Sequence, residues 1–596
     1  MTKGFWILMM VVAAAVTPAQ ADEYEKLTQV LETAFESHLR NNPESRAYLG
    51  MKQDNDRWTR RNEGWYLADR ETAENALAEL ASVDREKLDS LGRHQLDVST
   101  YYYEDRLAGY TWRHHWYALS QMDSSIDDIT TLLINYHQVD DEADARAYIA
   151  RLKQTPVVVD DVLEGIRLRA EKGIRPPSFV YPKILENTRA LLQDSPFVES
   201  EAEALLISSF RDKLTEAGIA NVHRLVEAAE AAAINVYQPA LERYMAAIAV
   251  EQQKTVADDG VWKLPGGGDF YQAVLKRYTT TDLSADEIHE RGLNEVARIH
   301  SEILTIMAAV DYEGSLQDFF RYMREDSRWY YPETDQARLD YIADTNEVID
   351  RASRRIDDFF NLMPRAGLVV KRVEAFREKN TSAAFYVSPA LDGSRPGTYY
   401  VPLHRMKDNP RWDLLTTAHH EAIPGHHMQI AIARELENVP LPVRLMGFGA
   451  YSEGWALYAE YLAKEMALYE GRPYMDFGRL VGELFRAVRL VVDTGIHSRR
   501  WTRGEAIDYM AGNTPYTRDY ISGEIERYIV WPAQATSYKI GMLTLLEARE
   551  KAEQVLGDRF DIRGFHDVIL GQGSMPLTIL EGRVEAWAEN LKREVE

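Results

Sequence analysis

Four of the fifteen histidines in this chain of 596 residues lie within nine positions, and a proline–glycine pair interrupts the same stretch. In the zinc-binding signature H-E-x-x-H, two histidines one helical turn apart face one metal ion. Here His420 and Glu421 are followed by Pro424 where that signature has its second histidine, and the next histidine is His426. Six residues of straight α-helix mean about 9 Å of rise and a rotation of roughly 240°, too far apart for two ligands of one ion.

The pair Pro424-Gly425 offers a way to bring the two histidines together. Proline lacks an N–H donor and disfavours helical geometry at Ile423, while glycine permits a positive φ. We therefore expect the helix to bulge outward at this pair, so that His426 returns toward His420. The same residues also fit a polar helix end whose histidines are only solvated, which is the usual false positive of such motifs.

A third ligand distinguishes these alternatives, and Glu453 is the candidate. The stretch 447–460 has a helical pattern that places Glu453 and Glu460 on similar faces with apolar residues between them. Two neutral imidazoles, from His420 and His426, and one carboxylate leave a fourth position open, which is typical of a catalytic zinc site. The sequence thus predicts one zinc ion per chain, with Glu421 as the general base.

Three blocks of sequence resemble a known bacterial family. They are His420-Glu-Ala-Ile-Pro-Gly-His-His-Met-Gln429, Glu453-Gly-Trp-Ala456 and Arg527-Tyr-Ile-Val-Trp-Pro-Ala-Gln534. In this order they resemble the family catalogued as domain of unknown function 885, over nearly all of the chain. That family is similar to the gluzincin metallopeptidases, helical enzymes whose zinc ligands are two histidines and a downstream glutamate.

The resemblance implies a zinc-dependent metallopeptidase that hydrolyses short peptides. The dipeptidyl peptidase III family likewise carries an insertion between the histidines of its zinc motif. Because the motif departs from H-E-x-x-H, the second ligand stays open between His426 and His427. The alternative function is a metal-free binding or assembly protein of the same fold. A serine hydrolase lacks support, because the sequence has no G-x-S-x-G motif.

Residues 1–21 are predicted to be a signal peptide. Lys3 precedes an apolar run over residues 5–16, and Ala19-Gln20-Ala21 fits a cleavage site. The run is shorter than the roughly 20 residues that span a bilayer, so no integral membrane segment is expected after cleavage. The absence of cysteine rules out disulfides and a lipidated N-terminus. We therefore expect a periplasmic or secreted protein.

Length and charge limit the remaining possibilities. The formal net charge of −25 argues against nucleic acid or anionic membranes as partners, and the oligomeric state stays open. The length favours two lobes that share an interface, a helical one over 22–265 and a catalytic helical one over 266–596. The turn-rich stretch 258–269 lies at their boundary. We expect a mainly α, two-lobed metallopeptidase-like fold with a small β-hairpin or sheet beside the metal helix.

Local signals predict several elements of that fold. Amphipathic helices are expected over 202–217 and 221–250, and the capping box Ser284-Ala-Asp-Glu287 should open a helix through Met307. The stretch 383–403 predicts a hairpin of short strands. Pro402 would make its second strand an edge, to which a peptide substrate could add as a further strand. An ordinary surface hairpin is the alternative.

Several downstream side chains are candidates for catalysis or substrate binding. On a helix over 482–497, Arg486, Arg489, Asp493 and His497 share one face, which is either solvated or a cleft wall. His497 is a candidate oxyanion donor, partly because gluzincins have such donors. Pro532 is expected to open a helix with Tyr538 near its middle, and Tyr538 is a candidate for a transition-state hydrogen bond.

The sequence predicts that three of these side chains or their neighbours bind the peptide. They are Arg395, Tyr399 and Arg489. A terminal carboxylate of the peptide would need a cation, and no spacing rule selects among the four available. These four are Arg395, Arg486, Arg489 and Lys539.

Overall fold

The structure, a computed structural model, describes residues 18–255, 259–373, 378, 383–391, 393 and 395–593. Residues 1–17 of the predicted signal peptide lie outside these described residues. Within them the chain is mainly α-helical with one three-stranded sheet, which confirms the predicted fold class at this level. None of the helices in the described ranges has both the length and the apolar character that a membrane span requires.

The helices and strands follow one another along the chain with short connections. The helices before the sheet are α1 (Pro18–Asn41), α2 (Pro43–Tyr48), α3 (Glu63–Leu80), α4 (Ser90–Thr111), α5 (Ser125–Asn135), α6 (Glu142–Lys153), α7 (Thr155–Glu171), α8 (Val180–Ala190), α9 (Leu205–Glu216), α10 (Val222–Ala232), α11 (Gln238–Gln252), α12 (Gly267–Thr279), α13 (Ala285–Ala309), α14 (Leu316–Glu325) and α15 (Asp335–Ser353). The strands are β1 (Leu368–Arg372), β2 (Phe385–Val387) and β3 (Gly397–Val401). The helices after the sheet are α16 (Arg411–Glu421), α17 (His426–Glu435), α18 (Leu441–Leu445), α19 (Gly449–Glu465), α20 (Pro473–His497), α21 (Arg503–Asn513), α22 (Arg518–Val530), α23 (Ser537–Leu556), α24 (Ile562–Leu570) and α25 (Leu577–Arg593).

Local sequence explains where several of these helices begin and end. The capping box predicted at Ser284 is confirmed, because its hydroxyl accepts from the N–H of Glu287 and the Glu287 carboxylate accepts from the N–H of Ser284 at 2.8 Å. The single helix predicted over 221–250 is instead two helices joined by a π-helical turn, Ala233–Tyr237. Pro239 follows this turn and lacks the N–H that a regular helix would use, which accounts for the interruption.

The buried apolar side chains form two large clusters. One joins α5–α11 to α13, α14 and α20–α22. The other joins α1, α3 and α4 to α15, β3, α16–α19 and α23–α25. The predicted lobes 22–265 and 266–596 therefore do not correspond to separate hydrophobic cores. Helices from the beginning of the chain complete the core around the candidate site.

Two helices of the second cluster, α19 and α23, pack so closely that their backbones touch. A Cβ on Gly454 would lie 2.5 Å from the Cα of Gly541, and a Cβ on Gly541 would lie 2.0 Å from the carbonyl oxygen of Ala450. Only glycine fits at either position, because a real Cβ does not approach backbone this closely. This contact fixes the separation of the two helices.

The sheet differs from the predicted hairpin. Its order is β1-β3-β2, with β1 parallel to β3 and β2 antiparallel to it. The predicted second strand, β3, is thus central, and the prediction that it is an edge was wrong. Pro402 follows the last residue of β3, so its missing N–H removes no pairing bond. Asp392 and Ser394 of the predicted turn lie outside the described residues.

Candidate functional site

The histidine-rich segment forms two helices and not one bulged helix. Helix α16 ends at Glu421 and α17 begins at His426, and the Ile423–Pro424 peptide bond between them is cis. A Cβ on Gly425 would lie 1.9 Å from the carbonyl oxygen of His420, so the returning chain packs directly on the end of α16. The Trp455 indole N–H, from α19, donates to the Pro424 carbonyl at 2.9 Å. These contacts turn the chain back toward α16.

The turn brings three predicted metal ligands together. Glu453 Oε2 lies 3.6 Å from His420 Nε2 and 3.4 Å from His426 Nε2. The three ligand atoms lie within 4.8 Å of one another. Tetrahedral zinc with bonds of about 2.0–2.1 Å separates its ligands by roughly 3.3–3.4 Å, close to both shorter distances.

The environment of Glu453 also suits a cation. Its Oε2 atom is buried and has no hydrogen-bond partner, and a buried carboxylate oxygen without a donor is costly. Burial opposes the charge of Glu453, but the His426 and His420 imidazoles outweigh burial and hold its pKa well below the usual range. Two imidazole nitrogens and one carboxylate oxygen form a donor set that zinc accepts.

His427 lies elsewhere, which answers the question of which neighbouring histidine joins the group. Its Nδ1 atom is hydrogen-bonded to the hydroxyl of Tyr386, on β2, at 2.9 Å. Burial lowers the pKa of His427 to about 4. The side chain therefore links α17 to the sheet, and His426 is the histidine beside His420 and Glu453.

A second carboxylate orients His420. Its Nδ1 atom donates to Oε1 of Glu460 at 2.7 Å, which leaves Nε2 facing Glu453. Such a hydrogen bond from a ligand histidine to a carboxylate is common at zinc sites. Burial opposes protonation of His420, but Glu453 and Glu460 outweigh it and raise the pKa to about 9. The sequence placed Glu460 on the same helical face as Glu453 but gave it no role, although the seven-residue spacing was the available signal.

Glu421 and Tyr399 lie beside this group. Glu421 is the last residue of α16 and is buried, and burial raises the pKa of its carboxyl group. Tyr399, on β3, is fully buried, yet its hydroxyl has no hydrogen-bond partner. Burial and then the nearby Tyr341 and Glu421 raise the pKa of Tyr399 well above its usual value. Arg395, which precedes β3, is exposed.

Arg489 and Arg486 project from α20 toward aromatic side chains. The Nε atom of Arg489 donates to the Tyr528 hydroxyl at 2.8 Å, and its Nη2 donates to Glu524 at 3.0 Å. The Arg489 guanidinium lies 4.6 Å from the ring centre of Tyr538. Tyr538 is in the first turn of α23 and not near its middle. After Pro532 the chain passes through Ala533, which has a φ of +69°, and a 3₁₀ turn before α23 begins.

Two other predicted site residues are occupied by neighbours. His497 Nδ1 accepts from the N–H of Val261 at 3.2 Å, and its Nε2 donates to the carbonyl of Tyr528 at 3.0 Å. Neither nitrogen is free for an oxyanion, and burial lowers the pKa of His497 to about 4. Lys539 is fully buried and contacts Glu483 at 2.6 Å and Glu295 at 2.8 Å. Its charge is therefore matched within the core.

Asp493 lies on the same face of α20 but does not pair with Arg489. It accepts from the Tyr271 hydroxyl at 2.6 Å and from the N–H of Ala533 at 3.0 Å. Burial raises the pKa of Asp493 to about 7. This carboxyl group thereby holds the turn that leads into α23.

Comparisons with known proteins give a family and a fold. The profile described as "Bacterial protein of unknown function (DUF885)" matches residues 43–584. The crystal structure of a candidate lipoprotein from Colwellia psychrerythraea has a TM-score of 0.86 and 29% identity, covering 95% of this chain and 99% of that one. A candidate lipoprotein of unknown function from Shewanella oneidensis has a TM-score of 0.69 and 17% identity, covers 93% and 99%, and shares the fold. No curated protein sequence matches this chain.

Proposed function

The chain belongs to the bacterial DUF885 family, and we propose that it is an exported, zinc-dependent metallopeptidase that hydrolyses short peptides. One observation carries this proposal. The Nε2 atoms of His420 and His426 both face the unpaired Oε2 of Glu453, and Glu421 directly follows the first of these histidines. Sites with three such protein ligands and an open position are the catalytic type of zinc site.

His420, His426 and Glu453 would hold the zinc ion, and Glu460 would keep His420 in the tautomer that presents Nε2. When bound, zinc supplies a Lewis acid that polarises a peptide carbonyl and makes water more acidic. The ligands come from α16, α17 and α19, three helices of one core cluster. Their positions are therefore set by packing and not by loops.

The protein's own residues supply proton transfer and positioning. Glu421 takes a proton from water on one carboxylate oxygen and delivers it to the amine that leaves. Its place at the end of α16 keeps it next to the ligand His420. Tyr399 has a buried hydroxyl without a partner, so it can donate a hydrogen bond to a substrate oxygen.

The sheet beside α17 supports a peptide as the substrate. Among the described strands β1 and β2 are the outer ones, and Tyr386 of β2 contacts His427, next to the ligand His426. An extended peptide can add to an outer strand through main-chain hydrogen bonds, with little dependence on its side chains. The predicted signal peptide and the relatives described as candidate lipoproteins both support an exported location.

Metal analysis tests the first half of the proposal. Protein purified without added metal, and protein dialysed against zinc, should contain about one zinc per chain by elemental analysis. Glu453→Gln should lose the metal, because it removes a charged ligand. Glu465→Gln is the matched control, since Glu465 lies on the same helix and pairs with Arg549 instead. A protein that takes up no transition metal would support the alternative, a metal-free binding or assembly protein.

Peptide hydrolysis tests the second half. A mixed peptide library analysed by mass spectrometry should show cleavage by the zinc-loaded protein. Glu421→Gln should keep the zinc but reduce turnover by about 10²–10⁴-fold, because it removes proton transfer and not a ligand. If Glu421→Gln empties the site, Glu421 is itself a ligand. If the zinc-loaded protein cleaves no peptide, it is not a peptidase.

A further inference from the structure

Two arginines of α20 have hydrogen-bond donors that no neighbour accepts. Arg489 is 6% exposed, and its Nη1 atom is buried without a partner. The Nε atom of Arg486 is also buried without a partner, and its Nη1 donates only to the carbonyl of Gly482, in the same helix. A buried guanidinium N–H without an acceptor is costly, so the two side chains together can accept an anion at low cost.

These arginines adjoin the candidate zinc ligands. Arg486 Nη2 lies 4.0 Å from Oε1 of Glu460, the atom that accepts from His420. The guanidinium groups of Arg489 and Arg486 lie 4.6 and 5.9 Å from the ring centre of Tyr538. Burial and then the Glu453 carboxylate raise the pKa of the Tyr538 phenol, which places this ring between the arginines and the ligand.

The acidic groups nearby do not fully match the arginines. Oε2 of Glu524 accepts from three donors, namely Arg489, Arg527 and the Tyr528 hydroxyl. One carboxylate is thus shared by two guanidinium groups. The carboxylates that face Arg486 have partners of their own, because Glu460 accepts from His420 and Asp413 from Thr417. Positive charge is in excess on this wall of the site.

We propose that Arg486 and Arg489 bind a carboxylate of the peptide substrate. A planar guanidinium fork matches a carboxylate and can bind it through two parallel hydrogen bonds. The carboxylate belongs either to the C-terminus of the peptide or to an acidic side chain near the cleaved bond. This subsite deepens the proposed function and rests on it, and it makes the protein selective for peptides that present an anion close to the zinc site.

Binding measurements on zinc-loaded Glu421→Gln protein test the subsite without cleavage of the probe. Tetraalanine and tetraalanine amide differ only in the terminal charge. Calorimetric titration should show that tetraalanine binds about 10- to 100-fold more tightly, the range expected for hydrogen bonds to a charged group. The amides of Ala-Ala-Glu-Ala and Ala-Ala-Gln-Ala test the side-chain source in the same way. A preference in either pair supports the subsite and identifies the source.

Two further substitutions assign the preference to these arginines. Arg486→Gln removes a half-buried charge, and Arg489→Lys keeps the charge but loses the fork. Each should bring the acid peptide close to the affinity of its amide while the amide is unaffected. Arg527→Gln is the matched control, because the Arg527 side chain is already bonded to Glu524 and Gln534. It should keep the preference within about threefold, since it removes no free donor.

The outcomes separate the subsite from the peptidase. Equal binding of acid and amide in both pairs of peptides, or a preference that survives in both arginine variants, overturns the subsite. Cleavage of peptides without any such preference leaves the peptidase standing and the subsite refuted. A preference without cleavage by the unsubstituted zinc-loaded protein supports the subsite and refutes the peptidase. Circular dichroism melts of each variant show whether lost binding reflects lost folding.

Discussion

Replacing Glu460 by glutamine should weaken zinc binding by about 10- to 100-fold, which corresponds to roughly 1.4–2.7 kcal/mol. Glu460 accepts from Nδ1 of the ligand His420 at 2.7 Å and is only 1% exposed. Solvent therefore screens this interaction little. Glutamine has the same shape and can still present an oxygen to Nδ1, but without the negative charge. The magnitude should fall in the upper part of the range, because Arg486 also loses its anionic neighbour 4.0 Å away.

The measurement is a competition between the protein and a chelating dye for zinc at fixed pH. Glu465→Gln serves as the control, because it makes the same chemical change one turn further along α19, at a residue that pairs with Arg549. Thermal melts of the metal-free proteins report whether either change unfolds the helix. Zinc affinity in Glu460→Gln equal to that of the unsubstituted protein would refute the reasoning that Glu460 orients His420.

Three further predictions concern packing, protonation and the unpaired hydroxyl. Gly541→Ala should lower the stability by about 1–3 kcal/mol in calorimetric melting, because its Cβ would lie 2.0 Å from the carbonyl oxygen of Ala450. Gly582→Ala, in open space on α25, should cause no loss, and equal melting of the two variants contradicts the prediction. Because burial raises the pKa of Asp493 to about 7, the folded protein binds this proton more tightly than the unfolded chain and loses stability as pH rises from about 4 to 7. Asp493→Asn lacks this dependence, so its stability relative to the unsubstituted protein should increase by about 2–3 kcal/mol between about pH 5 and pH 8 in urea unfolding, and a constant difference argues against it. Tyr399→Phe should leave thermal stability unchanged or higher, because the hydroxyl has no partner, yet reduce kcat/KM for peptides by about 10²-fold. An unchanged rate removes Tyr399 from the mechanism.

The predicted metal group follows from local sequence, which explains why it could be foreseen. Pro424 and Gly425 prevent a continuous helix, and His426 directly follows them. The return of His426 toward His420 therefore depends on only a few residues. Glu453 was identified because it precedes an apolar helical stretch shortly after this turn. The family and the mainly helical fold are confirmed, while zinc and peptide hydrolysis stay predictions.

Features that depend on distant parts of the chain were missed. Strand β1 pairs with β3 across more than twenty residues, and its sequence Leu368-Val-Val-Lys-Arg372 carries no alternation that marks a strand. Periodicity correctly placed Arg489 and His497 on one face of α20, but it cannot tell whether that face meets water or another helix. The structure buries both of them. Tyr538 was misplaced within its helix because Pro532 permits a helix start without requiring one.

The contact between Gly454 and Gly541 bears on how this cleft can acquire new selectivity. Glu453 precedes one of these glycines, and Tyr538 lies one turn before the other. Since main chain touches main chain there, the spacing across the cleft does not depend on the size of any side chain. Residues that line the cleft can therefore vary during evolution without moving the zinc ligands. A directed-evolution library should keep both glycines and vary the cleft wall around them.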